Sequence, residues 1–231
     1  MFTHNFDPVL LDFGIIAVRW YSLSYIFGIL IGWWYGKKII TRQFGIEKGK
    51  SKLNQFDDLI TYLIVSLVVG GRLGYVFFYN FNYYLTNPLD IFKIWEGGMS
   101  FHGALIGITV GTFVFSLQRK VKTLIFLDIV ACVSPIGIFF GRIANFINGE
   151  LFGKVTNHHF GIIFPNGGEL PRHPSQLYEA FFEGLILFLI MIFLMNKSSF
   201  FEKKGFLSAS FIFFYGIFRF FIEYFREPDG H

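Results

Sequence analysis

Three arginines, Arg72, Arg142 and Arg219, stand within or at the ends of long apolar runs in this chain. A charged side chain at the centre of a bilayer costs at least about 2.5 kcal/mol on insertion scales, so each needs a partner or a wet cavity. Glu179, Glu183 and Glu223 approach the same level from later runs. Such a set has two uses. It can form structural ion pairs, or it can hold an anionic lipid head group, whose phosphate oxygens match the two-pronged guanidinium. Arg219 and Glu223 are four apart and share a helix face. They fit either a buried structural pair or an Arg219 given to substrate with Glu223 behind it.

Three short segments are unusually polar for their apolar setting. SFHGALIG, residues 100–107, puts His102 at the mouth of an apolar run. A histidine there is either an interfacial side chain or an acid–base group. GRIANFINGELFG, residues 141–153, interleaves Arg142, Asn145, Asn148 and Glu150 with Ile143, Phe146 and Ile147. Helix stability does not ask for so many donors and acceptors. RHPSQLYE, residues 172–179, offers Arg172, His173, Gln176, Tyr178 and Glu179 where the chain re-enters apolar sequence. There is no HExxH, CxxC, Walker or GxSxG pattern, so no metal centre, nucleotide loop or serine elbow is expected. Cys132 lies inside an apolar run and is expected to be a small buried hydrophobe. Asp128 is expected to make a structural hydrogen bond, with a place on a proton path as the alternative.

The elements that position these residues are membrane helices. The 231 residues are 53% apolar and 16% charged, against about 25% charged in an ordinary soluble domain. Mean hydropathy is +0.51. Phe alone accounts for 34 residues, more apolar surface than one soluble core of this size can hide. About 20 residues cross the hydrocarbon, and six runs qualify: Tyr21–Ile40, Leu59–Tyr79, Met99–Leu117, Thr123–Phe140, Leu177–Met195 and Gly205–Phe225. Basic residues gather after the first run (Lys37 to Lys52), the third (Arg119, Lys120, Lys122) and the fifth (Lys197, Lys203, Lys204). By the positive-inside rule those loops are cytoplasmic and both chain ends lie outside. The net charge of +4 therefore belongs to membrane orientation, and nucleic acid is not expected as a partner.

The expected class is all-α, a polytopic helical bundle forming a single transmembrane domain over residues 1–231. Residues 1–20 are expected to lie along the outer interface, and residues 149–174 to form a small head loop on that side. The aromatics of residues 81–98 suit the same interface. The opening MFTHNFDPVLLDFG carries two aspartates and no basic region, unlike a signal peptide. Gly28, Gly32 and Gly36 form one file, and Gly103, Gly107 and Gly111 another. Small residues so spaced let helix backbones approach closely in lipid; the alternative is that they shape an entrance for lipid.

GRIANFINGELFG resembles the signature of the prolipoprotein diacylglyceryl transferase family, with every fixed position of the form G-R-x-G/A-N-F-x-N-x-E-x-x-G present. WYSLSY, GGRLGYVFFYN, MSFHGALIG, RHPSQLYEA and FRFFIEYFREPD resemble five further family blocks in the same order. The resemblance implies a bacterial inner-membrane enzyme with its site near the periplasmic leaflet. It would move the diacylglyceryl group of phosphatidylglycerol to the lipobox cysteine of a prolipoprotein signal peptide. A thioether forms, glycerol phosphate leaves, and no cofactor or metal takes part.

By motif, His102, Arg219 and Tyr21 take catalytic places. Arg142, Asn145, Glu150 and Arg72 take the phosphatidylglycerol. Glu223, Arg226, His173, Gln176 and Tyr178 support them. In such a reaction arginines would stabilise charge on the phosphate-ester leaving group. The thiol must lose its proton to become a nucleophile. His102 is the expected base, with Tyr21 or Arg219 as alternatives that orient or acidify the thiol. The family usually has seven spans where six are counted here. A small anion transporter and a structural assembly factor are the rival readings.

Overall fold

The computed structural model describes residues 2–14, 17–94, 97–197 and 202–228. It divides into two compact units, Met1–Lys38 with Asp128–His231, and Ile39–Leu127. Helices dominate both. The order is β1 (Phe2–Thr3), β2 (Val9–Asp12), β3 (Ala17–Arg19), α1 (Trp20–Phe44), α2 (Ile46–Phe78), α3 (Phe81–Thr86), α4 (Phe101–Gln118), α5 (Thr123–Ile147), β4 (Ile162–Ile163), α6 (Ser175–Asn196) and α7 (Phe206–Glu223). Short 3-10 turns cover Pro88–Phe92 and Pro165–Gly167, and α6 is π-helical over Ala180–Ile186.

Among the described residues, four helices are long and apolar enough to cross a membrane: Gly49–Phe78, Thr123–Ile147, Ser175–Asn196 and Phe206–Glu223. The apolar helix His102–Gln118 is shorter. At 25 residues α1 is long enough, but Trp, Tyr, Ser and Gly dilute its apolar character. Large apolar side chains along these helices, among them Phe193, Ile212 and Phe213, are exposed, as lipid-facing groups must be. The chain is an all-α, multi-pass membrane protein. The expected basic loop from Lys37 to Lys52 is almost entirely helical. Lys, Arg, Gln and Glu are good helix formers, so helix continues where apolar sequence stops. Gly45, at φ 74°, breaks it and lets α2 begin at Ile46.

In the Ile39–Leu127 unit, α2 and α4 meet along a glycine seam. A Cβ placed on Gly70 would lie 2.5 Å from the Gly103 carbonyl oxygen, and one on Gly74 2.6 Å from Gly103 Cα. Gly107 packs as closely on the Ser66 carbonyl. The segment after α2 leaves Leu85, Leu89 and Phe92 exposed. Trp95 and Glu96 lie outside the described residues.

In the other unit, Gly28 of α1 meets α5, where a Cβ would sit 3.2 Å from Gly137 Cα. Gly184 of α6 packs on Phe139 of α5. Asp128, in the second turn of α5, accepts the backbone N–H groups of Gly205 and Ser208 at 2.7 and 2.8 Å. It caps the start of α7 from another helix, where the N-cap residue, Gly205, has no side chain to do so, and so makes the structural hydrogen bond expected of it. The first residues carry short strands. β2 and β3 form an antiparallel hairpin, and β1 pairs with β4 in parallel. His4 is buried, with Nε2 2.6 Å from the Phe146 carbonyl oxygen. Elements this short have no periodicity that sequence could show.

Candidate active site

The residues that hold the site start at the N-terminus of α6. Pro174 precedes the helix, and Ser175 and Gln176 are fully buried. Ser175 Oγ donates to the Leu151 carbonyl at 3.0 Å, and Gln176 Nε2 to the Glu150 carbonyl at 2.5 Å. Main-chain pairing adds Gly153 N–H to the His173 carbonyl at 2.8 Å and His173 N–H to the Lys154 carbonyl at 3.0 Å. The third polar segment is thus laced to the turn that ends the second. The direction in which α6 leaves the head loop is thereby set, and so is the place of Glu179.

Glu179 is 0% exposed. Its Oε1 accepts from Arg219 Nη1 at 2.7 Å and from Arg226 Nη1 at 3.2 Å. Its Oε2 is ion-paired with Arg142 Nε at 3.2 Å. One buried carboxylate therefore gathers arginines from α5, from α7 and from the segment after α7. Two guanidiniums about 6 Å apart repel by about 3 kcal/mol at an effective dielectric of about 20. Three cannot be crowded at membrane level without a carboxylate among them.

Glu183, one turn on, is also 0% exposed, and its oxygens accept no hydrogen bond among the described residues. Its Oε2 is 3.9 Å from Arg142 Nη2. The outer edge of the cluster is open. The side chains of Arg142 and Arg219 are 18% and 28% exposed. Glu223, half exposed, pairs with Arg219 Nη2 at 3.0 Å. Three cations face two buried carboxylates and one displaceable carboxylate at the rim. That arrangement can accept a singly charged phosphate ester.

Other polar residues of the same compact unit make contacts of their own. Asn145 Nδ2 donates to Glu150 Oε1 at 2.8 Å, and Asn148 Nδ2 to the same atom at 3.3 Å. Tyr21, at the start of α1, lies 3.1 Å from Tyr25 between hydroxyls and within electrostatic reach of Arg142 and Glu150. His173 Nδ1 is 3.2 Å from the Tyr178 hydroxyl, and both rings pack on Phe225. Burial, helped by neighbouring His158, pulls the His173 pKa below the ordinary histidine value. Arg172 braces the head loop through Gly167, Gly153 and Glu227.

A family model described as prolipoprotein diacylglyceryl transferase matches residues 8–231. The chain belongs to the prolipoprotein diacylglyceryl transferase family. Proteins named phosphatidylglycerol–prolipoprotein diacylglyceryl transferase are similar to it along nearly its whole length. The one from Rickettsia felis is 51% identical over 227 residues, which is 97% of this chain and 85% of that protein. The one from Rickettsia rickettsii (strain Sheila Smith) is 52% identical, and that from Rickettsia canadensis 51%, over the same shares. Membership carries the enzyme class that the six motifs implied, a transferase.

Within this family member, the structure groups Tyr21, Arg142, Asn145, Glu150, His173, Gln176, Tyr178, Arg219, Glu223 and Arg226 in one compact unit. Arg72 and His102 belong to the other. His102 is exposed, in the first turn of α4. Arg72 differs from its expected role. It is 4% exposed, and its guanidinium donates to the carbonyls of Asp90, Ile91, Lys93, Gly97 and Gly98 at 2.5–3.2 Å. A guanidinium has five N–H donors, and five carbonyl bonds leave none for a lipid phosphate. Arg72 braces the segment after α2. The third arginine of the cluster is Arg226, which sequence reasoning placed only in support.

Three further residues of the cluster carry weaker signals in the sequence. Glu179 and Glu183 were noticed only as carboxylates near the arginines, though two carboxylates four apart at the start of an apolar run is itself a signal. Tyr215, one turn before Arg219, lies within electrostatic reach of Glu183, Arg142 and Arg219. Its i,i+4 spacing to Arg219 was the available clue.

Proposed function

We propose that this protein transfers the diacylglyceryl group of phosphatidylglycerol to the lipobox cysteine thiol of a prolipoprotein signal peptide. The thiolate sulfur attacks the glyceryl carbon and a carbon–sulfur bond forms. The carbon–oxygen bond to phosphate breaks, glycerol phosphate departs with the electron pair, and the thiol proton passes to a base. The observation that carries this reading is the cluster of Arg142, Arg219 and Arg226 on one buried carboxylate, open at the edge where Arg142 and Arg219 meet solvent. Donors fixed in advance around developing negative charge stabilise a leaving phosphate ester more than its ground state. Tyr21 and the Asn145–Glu150 pair flank the same cluster.

Motif assigns His102 the role of base, and this rests on the MSFHGALIG block alone. Arg142 and Arg219 bind the phosphate; Glu223 and Arg226 hold them in place. The bilayer is the bacterial inner membrane, with the basic termini of α1, α4 and α6 in the cytoplasm and the arginine cluster at the periplasmic leaflet. Residues 1–20 then lie along the outer interface, and residues 149–174 form the periplasmic head.

The test is direct. Purified protein in detergent is incubated with phosphatidylglycerol and a lipobox peptide, and the peptide mass is followed. A gain equal to one diacylglyceryl group on the cysteine, lost with Arg142→Ala, is expected. No gain with the intact protein sinks the reading.

A further inference from the structure

We infer that Glu179 is a positioning residue that sets the spacing of Arg142, Arg219 and Arg226. The inference rests on the phosphate-binding reading above and goes beyond it, because no contact between Glu179 and substrate is required. The carboxylate is completely enclosed, so it cannot itself reach a lipid. Both its oxygens face guanidiniums, and each arginine comes from a different stretch of chain. Arg142 turns its Nε edge to Glu179, and its Nη2 stays 3.9 Å from the next carboxylate. Arg219 turns only Nη1 inward. Arg219 Nη2 turns the other way, to half-exposed Glu223 at the rim, so both arginines are anchored from the inside by Glu179 and remain partly exposed outside. A neutral side chain at 179 would remove the carboxylate that all three share, and the contacts of Arg142 with Glu183 and of Arg219 with Glu223 do not tie the three together.

The backbone supports the same role. Glu179 is the last α-helical residue before the π-helical turn Ala180–Ile186, which packs through Gly184 onto Phe139 of α5. Single π turns inside α-helices are frequent at functional sites. Here the turn contains the point where α6 is fixed to α5 and directly follows the carboxylate that receives Arg142 from that same helix.

Glu179→Gln, Glu179→Asp and Glu183→Gln test the inference. Three readouts are taken in detergent: the size-exclusion profile, kcat and KM for phosphatidylglycerol, and the rise in Tm caused by glycerol phosphate. Displacing donors by about 1 Å costs a reaction roughly 100-fold. Glu179→Gln should therefore stay monodisperse, lose about 100-fold in kcat/KM mostly through kcat, and lose the glycerol-phosphate shift. Glu179→Asp, which restores charge, should recover about tenfold of that loss. Glu183→Gln should retain the shift.

A Glu179→Gln protein within about threefold of wild type overturns the inference. So does tighter binding of glycerol phosphate, since the carboxylate would then compete with substrate. Aggregation of both Glu179 variants also overturns it, by making Glu179 a structural brace. If wild-type protein forms no thioether, the functional reading fails, while the glycerol-phosphate shift still decides the role of Glu179.

Discussion

Asp128 Oδ1 accepts both the backbone N–H and the hydroxyl of Ser208 at 2.8 Å, so the start of α7 is held by a carboxylate eighty residues earlier in the chain. Capping normally comes from the residue next to the helix. Here a buried side chain of α5 fills the role and fixes where α7 begins, and with it the level at which Arg219 stands. Asp128→Ala should destabilise the protein by about 2 kcal/mol, the range for charged hydrogen bonds and N-caps together. A Tm drop by thermal unfolding in detergent checks this, and an unchanged Tm would show the cap to be idle.

Arg72→Lys should weaken the segment after α2 without touching lipid affinity. Lysine has three donors in no fixed plane and cannot replace five bonds to five carbonyls. A loss of about 2–4 kcal/mol is expected, with faster proteolysis between Asp90 and Gly98. KM for phosphatidylglycerol should stay where it is. A selective rise in KM would return Arg72 to the lipid site.

Arg142→Lys and Arg219→Lys should each cost about 100- to 1,000-fold in kcat/KM, because a point charge does not reproduce the two-pronged fit to phosphate. His102→Gln should lower kcat and leave KM nearly unchanged, as expected for a proton acceptor. Single-turnover assays with saturating lipid separate the two patterns.

His173 is pulled below the ordinary histidine range by burial. Its neutral form is thus favoured in the folded protein, and the unfolded chain takes up the proton first. Stability should be flat above about pH 6.5 and decline below it as the unfolded state gains protons. The head loop carries the loss. His173→Gln should flatten the Tm-against-pH curve between about pH 6.5 and 5. An identical curve in the variant assigns the acid sensitivity elsewhere.

Gly70→Ala should separate α2 from α4, since the new Cβ would meet the Gly103 carbonyl at 2.5 Å. Overpacking of this kind costs about 1–3 kcal/mol. Gly216→Ala, where nothing lies within 4 Å, should be neutral or raise stability by up to about 1 kcal/mol. The pair of Tm values distinguishes close packing from glycine content alone.

Much of the site was legible because charge in an apolar run needs a reason. That argument found Arg142 and Arg219 and brought Glu179 into view. It failed for Arg72, whose depth is readable from sequence but whose carbonyl partners, 18 to 26 residues later, are not. Arg226 carries no such signal because it follows the last apolar run, yet its side chain reaches the buried Glu179. The glycine files were readable from spacing, and Gly103 and Gly107 do face Gly70 and Gly74. The long extensions of α1 and α2 were missed because hydropathy marks where lipid is, not where helix stops.

The π turn of α6 makes the site sensitive to chain length in a way that composition does not reveal. Each residue of an α-helix turns it by about 100°. Loss of one residue from Ala180 to Glu183 would leave an apolar helix of ordinary appearance. It would also rotate Glu179 away from the three arginines while Gly184 and everything after it kept their places. Among genomic variants, a one-codon deletion here would leave a membrane-inserted protein with a disarranged centre, a lesion that hydropathy plots and expression levels would pass as normal.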